Sequence, residues 1–447
     1  MEGSSARVYE GEGTAVNICV IGTGYVGLVT GTCLAEFGMN STCVDNDVAK
    51  IQELNDGHIP IFEPGLEDLI RRNVAQGRLK FTTKLKDSVT SSLVIFITVG
   101  TPSNEDGSSD LRYVEGVARE IAEYMNGYKV IVLKSTVPIG TCRRVKEIIR
   151  SHQKKPVHFD IVSNPEFQRE GSAIEDFMRP DRVTLGAESE QAVAIMQDIY
   201  SALYINETPF VITDLETAEM IKYASNAYLA TKVTFINEIA NFCEKVGADV
   251  HYVARAMGLD GRIGRKFLHP GPGFGGSCFP KDTRALAAMA EEKGERLEII
   301  DAVIEANESQ KLRMVEKIRE MIGGINGRTI GVLGLAFKPN TDDIRESAAI
   351  VIIEGLQGGG ARVKTYDPAA MKTARSVLKG VEFCADPYET VLDCDGVVLV
   401  TEWNEFRRLD LPRIKRNLKQ PIFIDLRNVY EPSHMKNMGF KYCGVGR

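Results

Sequence analysis

The run PGFGGSCFPKD, from Pro272 to Asp282, contains the residues best suited to covalent chemistry. Its cysteine, Cys278, follows glycines at positions 273, 275 and 276, which leave room for backbone or ligand close to the sulfur. The thiolate is the nucleophilic form of cysteine, and a cationic neighbour such as Lys281 stabilises it. Most free cysteines are small buried apolar residues. We therefore assign that role to the other eight cysteines and predict a nucleophile at Cys278.

A second chemical motif opens the chain, where an apolar run from Val16 ends in a glycine turn and continues into a helical segment. Gly22, Gly24 and Gly27 form a GxGxxG motif, and Asp45 ends the next apolar run about 20 residues later. The first glycine permits a tight turn, the second lets the backbone approach a pyrophosphate, and the third packs helix against strand. Asp45 would bind the adenosine ribose and repel a 2′-phosphate. The motif therefore predicts NAD rather than NADP as cofactor.

Short apolar runs alternate with helical segments after this motif, at residues 93–99, 130–134, 160–163 and 210–213. Such alternation predicts a parallel sheet with helices on both faces and a ligand site beyond the carboxyl ends of the strands. A weaker repeat of the pattern runs from Arg328 to Asp367, with later apolar runs at 396–401 and 421–425. Because it lacks the full glycine motif, we expect it to bind a nucleotide carried by the substrate.

Residues 215–246 contain neither proline nor glycine and keep apolar residues at helical spacing. They predict one helix of roughly 45 Å, long enough to link two domains and to mediate dimer formation. Lys222 and Asn226 lie four residues apart and therefore share a face of this helix. Their spacing alone favours a solvated surface pair over a functional one.

Composition excludes several classes of protein. The net charge of −7 and the pI near 5.6 argue against a nucleic-acid or anionic-membrane surface. The sequence contains no apolar run of the ~18 residues that a membrane-spanning helix needs, and we expect no secretory leader. The nine cysteines and six histidines are scattered without a CxxC or HExxH motif. We therefore expect reduced thiols, a cytoplasmic location and no metal.

Seven motifs occur together in one order and carry a family resemblance. They are GTGYVG at 22–27, VGTP at 99–102, KSTVPIGT at 134–141, NPEFQREGSAI at 164–174, EMIKYASNAYLA at 219–230, GFGGSCFPKD at 273–282 and AFKPNTDDIRES at 336–347. From Val16 onward the chain resembles the UDP-glucose/GDP-mannose dehydrogenase family. The resemblance implies an α/β fold with two Rossmann-like, doubly wound parallel-sheet domains joined by a long central helix.

The same resemblance implies domain boundaries. We expect an NAD-binding domain at 1–213, of which residues 1–15 are poorly ordered, and a central helical domain with the cysteine loop at 214–325. A UDP-sugar-binding domain would follow at 326–447.

The reaction implied by the resemblance is an NAD-dependent, four-electron oxidation of the C6 alcohol of UDP-glucose to UDP-glucuronate, a precursor for polysaccharide biosynthesis. Two NAD are used per turnover, and Cys278 holds the intermediate as a thiohemiacetal and then a thioester. Relatives that oxidise N-acetylated sugars tend to have histidine before the cysteine, so Ser277 and the FPKD that follows Cys278 favour glucose. Another nucleotide sugar, GDP-mannose or a UDP-N-acetylhexosamine, is the alternative substrate.

Catalytic roles follow from the resemblance residue by residue. Lys222 and Asn226 are similar to the family's donors to the substrate oxyanion, and Asp282 to an aspartate that orders water. Glu166 is similar to the acid/base of thioester hydrolysis, and Thr136 to a threonine that positions the water.

Glu166 has a second interpretation from its own neighbours. Asn164, Pro165 and Glu166 also read as the cap, first residue and first-turn acid of a helix. Both interpretations can hold together.

Further contacts are implied for the two ligands. Cofactor contacts are Gly22, Gly24, Tyr25, Val26, Gly27, Asp45, Lys50, Thr101, Thr136, Glu170, Cys278, Lys281 and Arg345. Substrate contacts are Glu166, Phe167, Lys222, Asn226, Arg262, Phe267, Phe274, Gly275, Phe337, Lys338 and Arg427. Arg262 is similar to an arginine that reaches the substrate of a neighbouring subunit, which implies a homodimer. Arg345 and Arg427 have a simpler alternative as surface ion pairs, each worth ~1 kcal/mol or less.

Two other functions compete with this interpretation. A dehydrogenase of the 2-hydroxyacid or 6-phosphogluconate type performs one two-electron step and does not require Cys278. A non-catalytic NAD-binding scaffold would retain the fold without chemistry. The number of NADH formed per sugar acid, two or one, separates the proposed reaction from the first competitor.

Overall fold

A computed structural model describes residues 16–447, so the disorder predicted for residues 1–15 lies outside the described residues. The chain divides into two compact units. The first unit consists of the chain up to Thr101 together with Asp110–Lys222. The second unit consists of Pro102–Ser109 and Tyr223–Arg447.

The first unit is built on an eight-stranded sheet. Its strands are β1 (Asn17–Ile21), β2 (Asn40–Val44), β3 (Leu79–Thr82), β4 (Val94–Ile97), β5 (Lys129–Leu133), β6 (Phe159–Ser163), β7 (Val183–Ala187) and β8 (Phe210–Thr213). The spatial order is β3-β2-β1-β4-β5-β6-β7-β8, and it begins with the 3-2-1-4-5-6 order of a Rossmann sheet. All pairs are parallel except β6 with β7, which pair antiparallel.

Helices cover both faces of this sheet. They are α1 (Tyr25–Glu36), α2 (Val48–Asn55), α3 (Leu66–Ala75), α4 (Leu85–Ser91), α5 (Arg112–Tyr124), α6 (Thr141–His152), α7 (Ala173–Met178) and α8 (Glu190–Ile199), with a 3₁₀ turn at Ser201–Asn206. Side chains from the two faces form separate apolar clusters, one around Leu28 and Phe96 and the other around Ile95 and Ile121. The doubly wound arrangement predicted from the sequence is therefore confirmed.

The second unit repeats the design on a smaller scale. Its six strands are β9 (Thr329–Leu333), β10 (Arg362–Tyr366), β11 (Val381–Phe383), β12 (Gly396–Leu399), β13 (Ile422–Asp425) and β14 (Lys441–Cys443). They lie in the order β11-β10-β9-β12-β13-β14, which is again 3-2-1-4-5-6, and all pairs are parallel. The weak repeat after Arg328 therefore is a second Rossmann-like sheet.

The longest helix, α9 (Leu215–Val246), has the bounds that the sequence predicts and contains 32 residues, or about 48 Å. The helices that follow it are α10 (Val250–Leu259), α11 (Phe279–Glu292), α12 (Glu298–Ile322), α13 (Ala348–Gly358), α14 (Met371–Val377), α15 (Pro387–Thr390), α16 (Leu411–Asn417) and α17 (Pro432–Asn437), with a 3₁₀ turn at Asn404–Arg408. Within residues 16–447, no helix combines the length and the apolar character needed to cross a membrane.

The central strands are apolar throughout because both of their faces are covered. All residues of β4, VIFI, and of β12, GVVL, are buried. Strand β8 corresponds to the apolar run predicted at 210–213, but its Val211 and Ile212 are exposed because β8 forms an edge of the sheet.

Asp367, the acid that directly follows β10, is a structural counterpart of Asp45. Its Oδ2 accepts hydrogen bonds from the backbone N–H groups of Leu335 and Ala336, at 2.7 and 3.0 Å, and from the Trp403 indole at 3.0 Å. Its Oδ1 accepts from two further backbone N–H groups, and the residue is buried. This carboxylate therefore fastens the first turn of the second sheet to β10.

We expect Asp367→Asn to destabilise the protein by about 2–3 kcal/mol, because an amide nitrogen would face buried N–H donors. Calorimetric unfolding measures the loss. Asp393→Asn, at an exposed loop position, is the control and should change stability by less than about 0.5 kcal/mol. Equal stability of the two variants would contradict the structural role of Asp367.

Candidate active site

The glycine turn between β1 and α1 forms an open helix N-terminus. Gly22 has φ +104° and its N–H donates to the Val44 carbonyl at 2.7 Å, so the turn needs a residue that tolerates positive φ. Gly24 is the N-cap of α1, no side chain caps the helix, and the first turn contains no acid. Among residues 16–447, and apart from the immediate chain neighbours of Gly24, no atom lies within 4 Å of a Cβ placed on this glycine. These features fit the pyrophosphate of a dinucleotide.

Asp45 lies at the carboxyl end of β2, directly beside this turn. Its Oδ2 accepts hydrogen bonds from the Thr23 N–H at 2.8 Å and the Thr23 hydroxyl at 2.7 Å, and lies 3.2 Å from Lys50 Nζ. Partial burial raises the pKa of the Asp45 carboxyl, but hydrogen bonds from Thr23 and Asp47 and the charge of Lys50 outweigh burial and lower it to about 2. Asp45 is therefore ionised at physiological pH and repels a 2′-phosphate.

Other predicted cofactor residues line neighbouring strand ends. The Thr101 hydroxyl donates to the Thr136 carbonyl at 2.8 Å, which joins the loops after β4 and β5. Tyr25, at the start of α1, accepts a hydrogen bond from the Gly171 N–H at 2.7 Å, next to Glu170. The turn that would hold a dinucleotide is thus tied to the loop after β6.

The loop after β6 contains Glu166, which forms a buried ion pair with Lys222. Lys222 Nζ on α9 lies 3.0 Å from Glu166 Oε1 and donates to the Glu166 carbonyl at 2.6 Å. Both side chains are buried, and Lys222 Nζ also lies 5.2 Å from the centroid of the Phe167 ring. The spacing argument for a solvated Lys222 was therefore wrong. No helix begins at Asn164 either, because residues 164–169 form an extended loop and α7 begins at Ala173.

In the second unit, Cys278 is the N-cap residue of α11 and has a half-exposed side chain. The preceding loop is tightly packed: the Gly276 N–H donates to the Arg345 carbonyl at 2.8 Å, and a Cβ on Gly276 would lie 2.7 Å from the Phe337 ring. The Ser277 hydroxyl lies 3.5 Å from Cys278 Sγ. The glycines therefore bring backbone and an aromatic ring to the loop that presents the thiol.

Seven of the other eight cysteines are buried, and Cys443 is half-buried. Burial raises the pKa of Cys43 and of Cys394 to about 12, and that of Cys443 to about 11. These thiols are protonated at neutral pH and are poor nucleophiles. Cys278 is set apart from the seven buried thiols by its half-exposed side chain at the N-cap of α11.

The carboxylate of Asp282, one turn into α11, is buried between two donors. Asn226 Nδ2 donates to Asp282 Oδ2 at 2.6 Å, and Lys281 Nζ donates to Asp282 Oδ1 at 2.5 Å. The structure therefore brings Asn226 and Asp282 together, and it places the Lys281 ammonium on Asp282.

The predicted substrate residues of the second unit form one cluster with the cysteine loop. The Arg427 guanidinium donates to the carbonyls of Val400 and Phe337, at 2.8 and 3.0 Å, and Lys338 Nζ lies 5.3 Å from the centroid of the Phe337 ring. Phe267 and Phe274 both contact the Phe279 ring, and Gly275 packs on the Glu346 backbone.

Two predicted arginines lie at the surface, each bound to a nearby acid. Arg345 contacts Asp343 at 2.7 Å, and Arg262 contacts Asp260 at 2.6 Å with a side chain that is 89% exposed. Among residues 16–447, no group of three or more histidine, cysteine, aspartate or glutamate side chains could hold a metal ion.

Three domain models of one family match the chain in order. They are the NAD binding domain at residues 16–204, the central domain at 216–309 and the UDP binding domain at 331–432 of the UDP-glucose/GDP-mannose dehydrogenase family. The chain belongs to this family. The match to the NAD binding domain confirms NAD as the cofactor, as the glycine motif and Asp45 predict.

Relatives within the family match over nearly the full length. The chain is 51% identical to the UDP-glucose 6-dehydrogenase of Rhizobium meliloti, over 97% of this chain and 100% of the relative. It is 50% identical to the UDP-glucose 6-dehydrogenase TuaD of Bacillus subtilis, over 96% and 93%. A UDP-glucose dehydrogenase structure from Pyrobaculum islandicum is 39% identical with a TM-score of 0.90, covering 98% of this chain and 99% of that one. A UDP-D-ManNAc dehydrogenase structure from Pyrococcus horikoshii is 26% identical with a TM-score of 0.84, covering 96% and 99%.

The structure also contains residues of this family member that the sequence did not single out. The N–H groups of Gly171 and Ala173 donate to the buried Glu63 carboxylate at 2.6 and 2.8 Å, which fixes the loop after β6. Lys134 is buried at the end of β5. A lysine directly after the apolar run VIVL was the available signal for Lys134, whereas nothing local marked Glu63.

We expect Gly24→Ala to weaken NAD binding at least about tenfold while leaving the melting temperature unchanged, because the methyl group meets only the space left for the phosphates. Gly27→Ala is the matched comparison. Its methyl group would overlap the Gly22 carbonyl and the Thr98 hydroxyl, so this variant should lose both stability and NAD binding. Titration with NAD and thermal unfolding measure the two effects. Wild-type NAD affinity in Gly24→Ala would contradict a pyrophosphate site at this turn.

Proposed function

We propose that the chain oxidises UDP-glucose at C6 to UDP-glucuronate with NAD. The observation that carries this proposal is the contrast in identity: 51% to a UDP-glucose 6-dehydrogenase against 26% to a UDP-D-ManNAc dehydrogenase, at similar coverage. Ser277 before the cysteine agrees with a glucose substrate. GDP-mannose and UDP-N-acetylhexosamines are the alternatives that a substrate comparison tests.

The first stage converts the C6 alcohol to an aldehyde. NAD held at the Gly24 turn would supply the hydride acceptor for both oxidations. The buried Lys222 ammonium stabilises negative charge on the C6 oxygen, and the Asn226 amide, four residues further along α9, is a second donor. The hydroxyl proton passes to a water ordered by the Asp282 carboxylate.

The second stage uses the thiol. Cys278 Sγ forms a bond to the aldehyde carbon while the thiol proton passes to the carbonyl oxygen, which becomes the hydroxyl of a thiohemiacetal. The second oxidation removes hydride and proton from this group and leaves a thioester on Cys278. Because the sulfur retains the sugar, the aldehyde is not released between the two oxidations.

Hydrolysis then releases the product. Glu166 accepts a proton from water, the water oxygen adds to the thioester carbon, and the Cys278 thiolate leaves. The Thr136 hydroxyl positions this water in the proposal. The Gln168 N–H donates to Glu166 Oε2 at 2.6 Å, so the carboxylate is fixed by its own loop as well as by Lys222.

We expect wild-type protein to form two NADH per UDP-glucuronate, and Cys278→Ala to form no UDP-glucuronate while still binding NAD. The variant lacks Cys278 Sγ, the atom that is proposed to hold the aldehyde through a covalent bond. Absorbance at 340 nm and chromatography of the sugar nucleotide measure the two products.

Cys443→Ala, at the other half-exposed cysteine, is the control and should behave as the wild type. A ratio of one NADH per product would favour the single two-electron competitor. Full turnover by Cys278→Ala would refute covalent catalysis. Wild-type oxidation of GDP-mannose or UDP-N-acetylglucosamine in preference to UDP-glucose would overturn the substrate.

We retain the three-domain division as a proposal, with boundaries at 213/214 and 325/326, and a cytoplasmic location. The eight cysteines other than Cys278 are free thiols, which supports a reducing compartment.

A homodimer is the final part of the proposal, and α9 supports it. Tyr228, Phe235 and Phe242 recur every seven residues on one face of this helix, and their exposed fractions are 62%, 44% and 63%. A continuous aromatic stripe on a helix face suits antiparallel pairing with a second copy about a two-fold axis.

We expect Phe235→Asp to convert the dimer to a monomer, because the aspartate would place a charge at the centre of the aromatic stripe that the dimer buries on α9. Light scattering after size-exclusion chromatography measures the mass. The control Val377→Asp changes another exposed apolar side chain, 51% exposed at the end of α14, and should leave the mass unchanged. A dimer that persists in Phe235→Asp would place the interface elsewhere.

A further inference from the structure

Lys134 is a buried lysine that has no role in the proposed reaction as described above. It directly follows β5 and is 4% exposed. Its Nζ donates to Asn164 Oδ1 at 3.2 Å and to the Tyr200 hydroxyl at 3.5 Å, and lies 5.7 Å from the centroid of the Phe177 ring. No carboxylate among the described residues forms an ion pair with it, so its direct partners are neutral.

The charges near Lys134 come from few groups. Burial lowers the pKa of Lys134 to about 8, with the Glu166 carboxylate opposing and the Lys222 ammonium adding to this effect. Burial raises the pKa of the Cys33 thiol and of the Tyr200 phenol, so both stay neutral below pH 10. Lys134 therefore loses its charge as the pH rises through about 8, while the thiol and the phenol beside it stay neutral.

Lys134 also holds the start of the segment that carries Glu166. The Asn164 N–H donates to the Leu133 carbonyl at 2.9 Å, so the loop leaves β6 beside the end of β5. Asn164 Oδ1 accepts from both Lys134 and Tyr200, the latter at 2.7 Å, and Nδ2 donates to the Thr184 carbonyl at 2.9 Å. Glu166 follows two residues later.

We propose that Lys134 is a positioning residue for Glu166, whose buried ammonium anchors the Asn164 turn and stabilises the ionised carboxylate that accepts a proton during thioester hydrolysis. This inference rests on the proposed role of Glu166. It assigns Lys134 a function in the rate and pH dependence of product release and none in direct contact with substrate.

Stability supports a functional reason for Lys134. A buried ammonium without an anionic partner destabilises the fold. This cost is full below about pH 8, where folded Lys134 is charged, and fades as the pH rises from 8 towards the ordinary lysine pKa of 10.5. Lys134→Met has a similar shape and no charge. It leaves no polar atom of Asn164 without a partner, because Tyr200 still donates to Oδ1. We expect the variant to melt no lower than the wild type at pH 7.

The test is the pH dependence of acid release in a single turnover, measured by rapid quench after both NADH have formed. Without the Lys134 charge the ionised Glu166 carboxylate is less stable. The acidic limb of the pH–rate profile of Lys134→Met should therefore move to higher pH by about one unit. At a given pH on that limb, the variant should release acid about tenfold more slowly than the wild type. Above about pH 9 the two proteins should converge, since wild-type Lys134 is then neutral. Lys134→Arg keeps the charge and should keep the wild-type limb.

The matched control is Lys129→Met, at the opposite end of β5. Lys129 is also buried, and its Nζ donates to the carbonyls of Thr90 and Ser92 at 3.2 and 2.6 Å. It should leave the pH profile unchanged, and NAD affinity should be unchanged in all three variants.

Several outcomes would overturn the inference. They are an unshifted profile in Lys134→Met, an equal shift in Lys129→Met, or a Lys134→Met chain that no longer folds, which would make the ammonium structural. A wild-type protein that makes no sugar acid would instead refute the proposed function.

Discussion

The buried contact between Lys222 and Glu166 is the interaction on which the rest of the site depends. It joins α9 to the loop after β6 through one ammonium that binds both the side chain and the carbonyl of Glu166. Breaking such a pair by removing one partner costs about 3–5 kcal/mol, because the other charge stays buried. The pair therefore fixes the position of two groups with different proposed tasks. The positive group stabilises an oxyanion and the negative group accepts a proton from water.

The two Rossmann-like sheets show how one topology serves two purposes. In the first, the acid after β2 keeps a side chain that is 13% exposed and is accompanied by an open helix N-terminus at Gly24. In the second, the equivalent acid is buried under five protein donors. The first six strands have the same order in both sheets. The different surroundings of the two acids therefore come from the loops and from the Trp403 indole. Membership of the family fits this division, since one model describes NAD binding and another UDP binding.

Much of the fold was predictable from the sequence, and so were the site residues as candidates. Long or fully apolar elements such as α9 and β4 follow from spacing and burial alone. Strands β3, β7, β11 and β14 escaped because they are short or carry polar residues, and their pairing depends on neighbours far along the chain. The burial of Lys222 escaped for the same reason: helical spacing fixes a face but not what covers it. Glu63 and Lys134 act through contacts 108 and 30 residues away, which no local pattern encodes.

The hydrogen bond from the Gly171 N–H is shared between Tyr25, in the dinucleotide turn, and Glu63. The Gly171 N–H therefore contacts the dinucleotide turn through Tyr25 and itself belongs to the loop that carries Glu166. A reaction that needs fresh NAD midway must empty and refill the first loop while the sugar stays covalently attached. Glu63 gives this amide a second acceptor, so the hydrolytic loop has an anchor that does not depend on Tyr25. Its solvent exchange rate, followed by deuterium uptake in the presence and absence of NAD, would therefore register each swap of coenzyme from a single backbone position.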